Sequence, residues 1–203
     1  MFGIIVFGDS ITHGRGEQPS RGWAGRLKND FESQDKYNAV YNLGIPGDTS
    51  TGLLKRIEVE LTSRAIHKRK DDRYLTIIAI GANDARGIGA PENPQTNPEV
   101  FEQQVTQILS IAKQHSQETI IIGLTPVDED RTTPYENTYF SNEKQQAYNQ
   151  ILQKLSEQNH VQFIDVFPAF STLNYKELLE DGVHPNVKGY DELYDIIREQ
   201  LNI

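Results

Sequence analysis

The chain has 203 residues, enough for one domain with a substantial buried core. Its 36% hydrophobic and 24% charged content is that of a globular protein, not a disordered one. The formal charge of −9 repels phosphate backbones and anionic headgroups, and the lack of cysteine excludes disulfides, thiolate metal sites and cysteine nucleophiles.

The N-terminus carries no basic n-region, and its apolar run Ile4 to Phe7 is too short for a signal h-region. No stretch approaches the roughly 18 apolar residues of a membrane span. The expectation is a single domain over residues 1–203, cytoplasmic, with no membrane or nucleic-acid partner. Oligomeric state is left open.

Taken in chain order, short apolar runs alternate with helical patterns. A candidate strand at 3–7, expected at the centre of the sheet, runs into Gly8, Asp9 and Ser10. Trp23, Leu27 and Phe31 then mark one helix face. A second strand at 38–43 leads to GIPGDTS at 44–50 and a stripe of Leu53, Leu54, Ile57 and Leu61. A third at 74–80 leads to GAND at 81–84. There follow a long Pro/Gly/Asn-rich loop at 86–98 and the stripe Phe101, Val105, Ile108, Leu109 and Ala112. A fourth strand at 119–124 precedes a second long loop at 126–142 and the stripe Tyr148, Ile151, Leu152 and Leu155. A fifth at 161–166 is followed by DGVHPN at 181–186 and the stripe Tyr190, Leu193, Tyr194, Ile197 and Leu201. Five strand–helix alternations imply an α/β fold, a parallel sheet covered by helices on both faces.

In such a sheet ligands bind beyond the carboxyl ends of the strands. Gly-rich turns carrying small polar residues fall at that end of three strands, which points to one shared site. Ser10 is either a helix cap, a common use of serine, or a nucleophile in need of a base. Of the five histidines, His67 and His115 sit in polar helical surroundings, His160 precedes a strand, and His13 lies close to Ser10 but leads into a loop. His184 differs, because Asp181 stands three residues before it and can hold its imidazole in one tautomer. Asn186 is placed to cap the last helix. The Ser10 and Gly47 N–H groups and the Asn83 amide are candidate donors to an oxyanion. Asp9, Asp84, Asp181 and His184 also allow a rival reading as hard-cation ligands of a phosphoesterase, but the histidine-rich motifs of such enzymes are missing. A non-catalytic sugar- or lipid-binding module is a further alternative.

These blocks resemble those of the SGNH hydrolases, also called the GDSL esterase/lipase family. GDS carries Ser10, N-x-G-x-x-G-D-T-S carries Gly47, G-x-N-D carries Asn83, and D-x-x-H carries Asp181 and His184. The match spans residues 4 to 186, with Ile11 in place of the leucine of the family name. The second block offers both Gly44 and Gly47. Gly47 directly precedes D-T-S, as in the bacterial thioesterase/lysophospholipase-like branch. The resemblance implies a three-layer α/β/α sandwich on a five-stranded, flavodoxin-like parallel sheet. It also implies Ser10 as nucleophile, His184 as base, Asp181 as its orienter, and Ser10, Gly47 and Asn83 as the oxyanion hole. The G-x-S-x-G elbow of the α/β-hydrolases is missing.

The expected activity is a serine esterase working through an acyl-enzyme on small ester substrates, short acyl or acetyl esters above all. Thioesterase or lysophospholipase action is the alternative. No cofactor or metal is called for. The loops at 86–98 and 126–142 are expected to wall the pocket, with Tyr135, Tyr139 and Phe140 as apolar contacts.

Overall fold

The computed structural model of the chain describes residues 2–19, 21–66 and 71–201, so His67 lies outside the described residues. In chain order the elements begin with β1 (Phe2–Gly8), α1 (Ser10–His13), α2 (Gly22–Gln34), β2 (Ala39–Gly44), α3 (Ser50–Arg64) and β3 (Arg73–Ala79). Next come α4 (Ala82–Ala85), β4 (Gly87–Ile88), α5 (Pro98–His115), β5 (Glu118–Ile122), α6 (Glu129–Thr132) and β6 (Thr138–Tyr139). The chain closes with α7 (Asn142–Asn159), β7 (Gln162–Ile164), α8 (Val166–Ser171), a 3-10 turn at Tyr175–Leu178, and α9 (Val187–Arg198).

Five strands form a parallel sheet in the order β2-β1-β3-β5-β7. Alternate strand residues feed opposite layers, as the period of a strand demands. Ile4, Val6, Leu75, Ile77, Ile120 and Ile122 pack with α2, α8 and α9. Ile5, Phe7, Tyr74, Ile78 and Ile121 pack with α3, α5 and α7. Burial on both faces explains why these strands read as continuous apolar runs instead of alternating ones. Each fully buried Ile or Leu contributes about 1.5–3 kcal/mol relative to exposure. Among the described residues, no helix is long and apolar enough to cross a membrane.

Two expectations need correction. The central strand is β3, not the first strand. Only β2 is added outside β1, whereas β5 and β7 extend the sheet beyond β3. The fifth strand is also shorter than the 161–166 run. Asp165 turns its carboxylate onto the Phe167 N–H at 3.2 Å and starts α8, so Val166 belongs to that helix.

The strand order reverses between β1 and β3, and that switch point opens a crevice at the carboxyl ends of the strands. The two long loops meet beside it. β4 and β6 pair antiparallel, Gly87 with Tyr139 and Ile88 with Thr138, tying the 86–98 segment to the 126–142 segment.

Candidate active site

At the end of β1, Gly8 leaves no room for a side chain. A Cβ there would lie 2.1 Å from Thr12 Oγ1 and 2.7 Å from the Ala79 carbonyl. The chain turns at once into α1, and Asp9 caps that helix by accepting from the Ile11 N–H at 2.9 Å. Ser10 is therefore the first residue of the helix and not its cap, which frees its hydroxyl. That hydroxyl lies 2.7 Å from His184 Nε2, across 174 residues of sequence. Ser10 itself is only 6% exposed.

His184 is fixed from its other side. Its Nδ1 lies 2.6 Å from Asp181 Oδ2, and its backbone N–H donates to Asp181 Oδ1 at 2.9 Å. The Val183 N–H donates to the same oxygen at 3.0 Å. Partial burial pushes the Asp181 carboxyl up, but the bonds from the imidazole and these N–H groups outweigh it. Its pKa falls well below the ordinary carboxylate range. An ionised Asp181 holds the Nδ1–H tautomer, which leaves Nε2 to accept a proton from Ser10. Backbone bonds from Glu180 N to His184 O (2.8 Å) and from Asn186 N to Leu178 O (2.8 Å) close this loop. Asn186 caps α9 through the Gly189 N–H at 3.0 Å. His13 and His160 are exposed, and His115 sits half-buried at the end of α5, away from Ser10's cavity.

Gly47 occupies a tight turn, with Pro46 before it and the Asp48 N–H bonded to the Ile45 carbonyl at 3.0 Å. Its φ of +79° suits glycine, as the third position of such a turn requires. Neither the Ser10 nor the Gly47 N–H is bonded to a described residue. Asn83 lies in α4 with its amide donating to the Asp48 carbonyl at 3.0 Å and, more weakly, toward Asp9 Oδ2 at 3.4 Å. Two anchors hold this platform, one half-buried (Arg56–Asp48) and one buried (Asp84–Ser50). Arg56 grips Asp48 Oδ2 from Nη2 at 2.7 Å and reaches the Gly8 carbonyl at 3.3 Å. Asp84 accepts from Ser50 Oγ at 2.6 Å and from the Ser50 N–H at the start of α3.

Ser10, Gly47, Asn83, Asp181 and His184 all line one cavity of about 220 Å³. Tyr135 and Phe140 line it as expected. Tyr139 does not. It is paired with Gly87 in the β4–β6 ladder, and Thr132, Glu136 and Thr138 stand in the wall instead. The 86–98 loop contributes only Arg86, which the sequence reading overlooked along with Arg15 and Val183. The rival ligand set does not converge either. Asp84 is spent on Ser50, Asp9 on Ile11 and Asp181 on His184. No group of three His, Asp or Glu side chains that suits a metal ion occurs among the described residues.

A three-layer α/β/α sandwich with a Ser–His–Asp chain at its switch point defines the class: a hydrolase that acts on ester bonds. The chain belongs to the GDSL-like lipase/acylhydrolase family, whose model matches residues 6–192. It is 30% identical over 217 residues to the isoamyl acetate-hydrolyzing esterase of Saccharomyces cerevisiae, covering 96% of this chain and 85% of that one. It is 26% identical over 200 residues to thioesterase 1/protease 1/lysophospholipase L1 of Escherichia coli, covering 98% and 82%. The lipase/acylhydrolase structure from Enterococcus faecalis superposes with a TM-score of 0.78 at 24% identity, over 98% of this chain and 95% of that one.

Proposed function

We propose that the protein is a serine esterase that hydrolyses short acyl esters through an acyl-enzyme. The observation that carries this reading is the continuous hydrogen-bonded chain from Ser10 through His184 to Asp181. Ser10 Oγ attacks the ester carbonyl while His184 Nε2 takes its proton, and ionised Asp181 stabilises the imidazolium. The oxyanion is received by the Ser10 and Gly47 N–H groups and by the Asn83 amide, whose long 3.4 Å contact to Asp9 is the weaker of its two bonds. His184 then returns the proton to the departing alcohol, and water repeats the sequence on the acyl-enzyme.

The cavity of about 220 Å³ favours small substrates. The likeness to an isoamyl acetate-hydrolyzing esterase supports the same preference. Thioester hydrolysis is the second reading, favoured by the likeness to the Escherichia coli thioesterase. The test is a p-nitrophenyl ester series from acetate to palmitate beside matched thioesters, in the wild type and Ser10→Ala. The expected result is a kcat/KM that peaks at short chains and falls at least about 10³-fold in Ser10→Ala. A maximum at long chains overturns the substrate class, and undiminished turnover in Ser10→Ala overturns the mechanism.

A further inference from the structure

Two arginines, Arg15 and Arg86, line the cavity that holds Ser10. Their presence there is at odds with a chain whose net charge is −9. Arg86 is half-buried and held in place from two sides. Its Nε donates to Gln95 Oε1 at 2.7 Å, and its Cζ lies 5.9 Å from the centre of the Phe140 ring. Those contacts draw on both long loops at the point where β4 and β6 join them. They leave Nη1 and Nη2, the two terminal nitrogens of the fork, with no bond to a described residue. Arg15 has its backbone fixed, its N–H on the Ser10 carbonyl at 2.9 Å and its carbonyl under the Tyr190 hydroxyl at 2.6 Å, while its side chain is exposed.

Neither arginine forms an ion pair with a described carboxylate, although others of the chain do, such as Arg26 with Glu17 and Arg56 with Asp48. The carboxylates whose fields reach Arg86 are Asp84 and Asp9. Both already have partners, Asp84 in Ser50 and Asp9 in the Ile11 N–H. Asp181 is committed to His184, and Glu136 stands exposed at the rim. Burial pushes the Arg86 guanidinium down from its ordinary value, so its charge is held against a cost. A half-buried fork with free terminal donors, made rigid in advance, suits a planar carboxylate that accepts two parallel hydrogen bonds.

We propose that Arg86, with Arg15 at the rim, binds an anionic group carried by the ester, so that the preferred substrates are short esters bearing a carboxylate. This rests on the esterase reading of the same cavity. The carboxylate can belong to the acyl half or to the alcohol half of the ester. Arg86 selects through binding, so its effect falls on KM more than on kcat.

The experiment compares matched charged and neutral esters in the wild type, Arg86→Gln and Arg86→Lys. The acyl arm pairs the p-nitrophenyl monoester of glutarate with its methyl-capped neutral form. The alcohol arm pairs 4-acetoxybenzoate with 4-acetoxybenzamide. Comparing ratios between variants cancels the intrinsic reactivity of each ester. The anionic-to-neutral ratio of kcat/KM is expected to fall about tenfold or more in Arg86→Gln in one arm, which locates the carboxylate. Arg86→Lys, which keeps charge but loses the fork, should fall between. Raising the salt concentration should shrink the wild-type preference. An unchanged ratio in both arms overturns the proposal. So does an equal loss for charged and neutral esters, which marks Arg86 as a counter-charge to Asp9 and Asp84. Calorimetric titration of glutarate into Ser10→Ala reads the subsite without turnover, and binding that is absent there, or that survives the added Arg86→Gln change, overturns it as well. Ser10-dependent hydrolysis of neutral esters without an anionic preference removes this inference alone. Loss of all ester turnover removes the esterase reading instead.

Discussion

At the scale of single residues, the division of labour between Asp9 and Ser10 decides the site. Asp9 takes the capping role that a serine in that turn often fills, and Ser10 is left to face His184. The cost falls on Asp9, a carboxylate only 3% exposed. Burial raises its pKa to about 6, with the fields of Asp84 and Asp48 adding to the rise, against the Ile11 N–H and His184. A carboxyl with a raised folded-state pKa lowers stability as pH rises from its unfolded value near 4 through 6. Asp9→Asn keeps a capping oxygen and removes the charge. It should gain about 2–3 kcal/mol at pH 7.5, an advantage that fades as the pH falls through about 6 and is gone near pH 4, read as urea midpoints at pH 7.5 and at pH 4. An equal gain at both pH values contradicts a charge effect. Asn83 makes a second case. Its amide is oriented by the Asp48 carbonyl and has a place in the same cavity as Ser10. Asn83→Ala should fold with a cooperative transition and lose on the order of 10²–10³ in kcat, and unaltered turnover removes Asn83 from the oxyanion hole.

At the scale of elements, the turns after β1 and β2 carry different constraints, and the two glycines there separate them. Gly8 is a packing glycine, its would-be Cβ 2.1 Å from Thr12 Oγ1. Gly47 is a conformational glycine, with φ +79° and nothing within 4 Å of a Cβ. Gly47→Ala should cost about 1–2 kcal/mol in stability and reduce kcat by tilting the N–H. Gly8→Ala should cost more, about 3 kcal/mol, by forcing β1 from α1. Urea unfolding of the pair checks the order, and equal losses contradict it. All five main strands and the five stripe-bearing helices were legible, because burial on both faces gives unbroken Ile/Val runs and one-sided burial gives helical stripes. The short pieces were not. β4 and β6 have two residues each, too few for any periodicity, and their pairing is what turns Tyr139 away from the cavity while Arg86 lines it.

At the scale of the whole molecule, one sheet edge gathers residues from four separate turns, with Ser10 and His184 lying 174 positions apart. The sequence shows which turns carry small polar residues, and the rule that ligands sit beyond the carboxyl ends of parallel strands brings them together. What it does not show is strand order, since crossover lengths alone leave the place of β1 beside β3 undetermined. Nor does it show the cation pair, because Arg15 and Arg86 stand in loops where only the folded path gives a side chain its neighbours. The central claim is that Ser10 is the nucleophile of an acyl-transfer reaction. The most direct measurement is labelling with a fluorophosphonate, followed by intact mass and peptide mapping. The account predicts one adduct per chain, on Ser10, slowed strongly in His184→Ala and lost together with p-nitrophenyl acetate turnover in Ser10→Ala. An adduct on another residue, or a Ser10→Ala chain that still hydrolyses the ester at the wild-type rate, would contradict it.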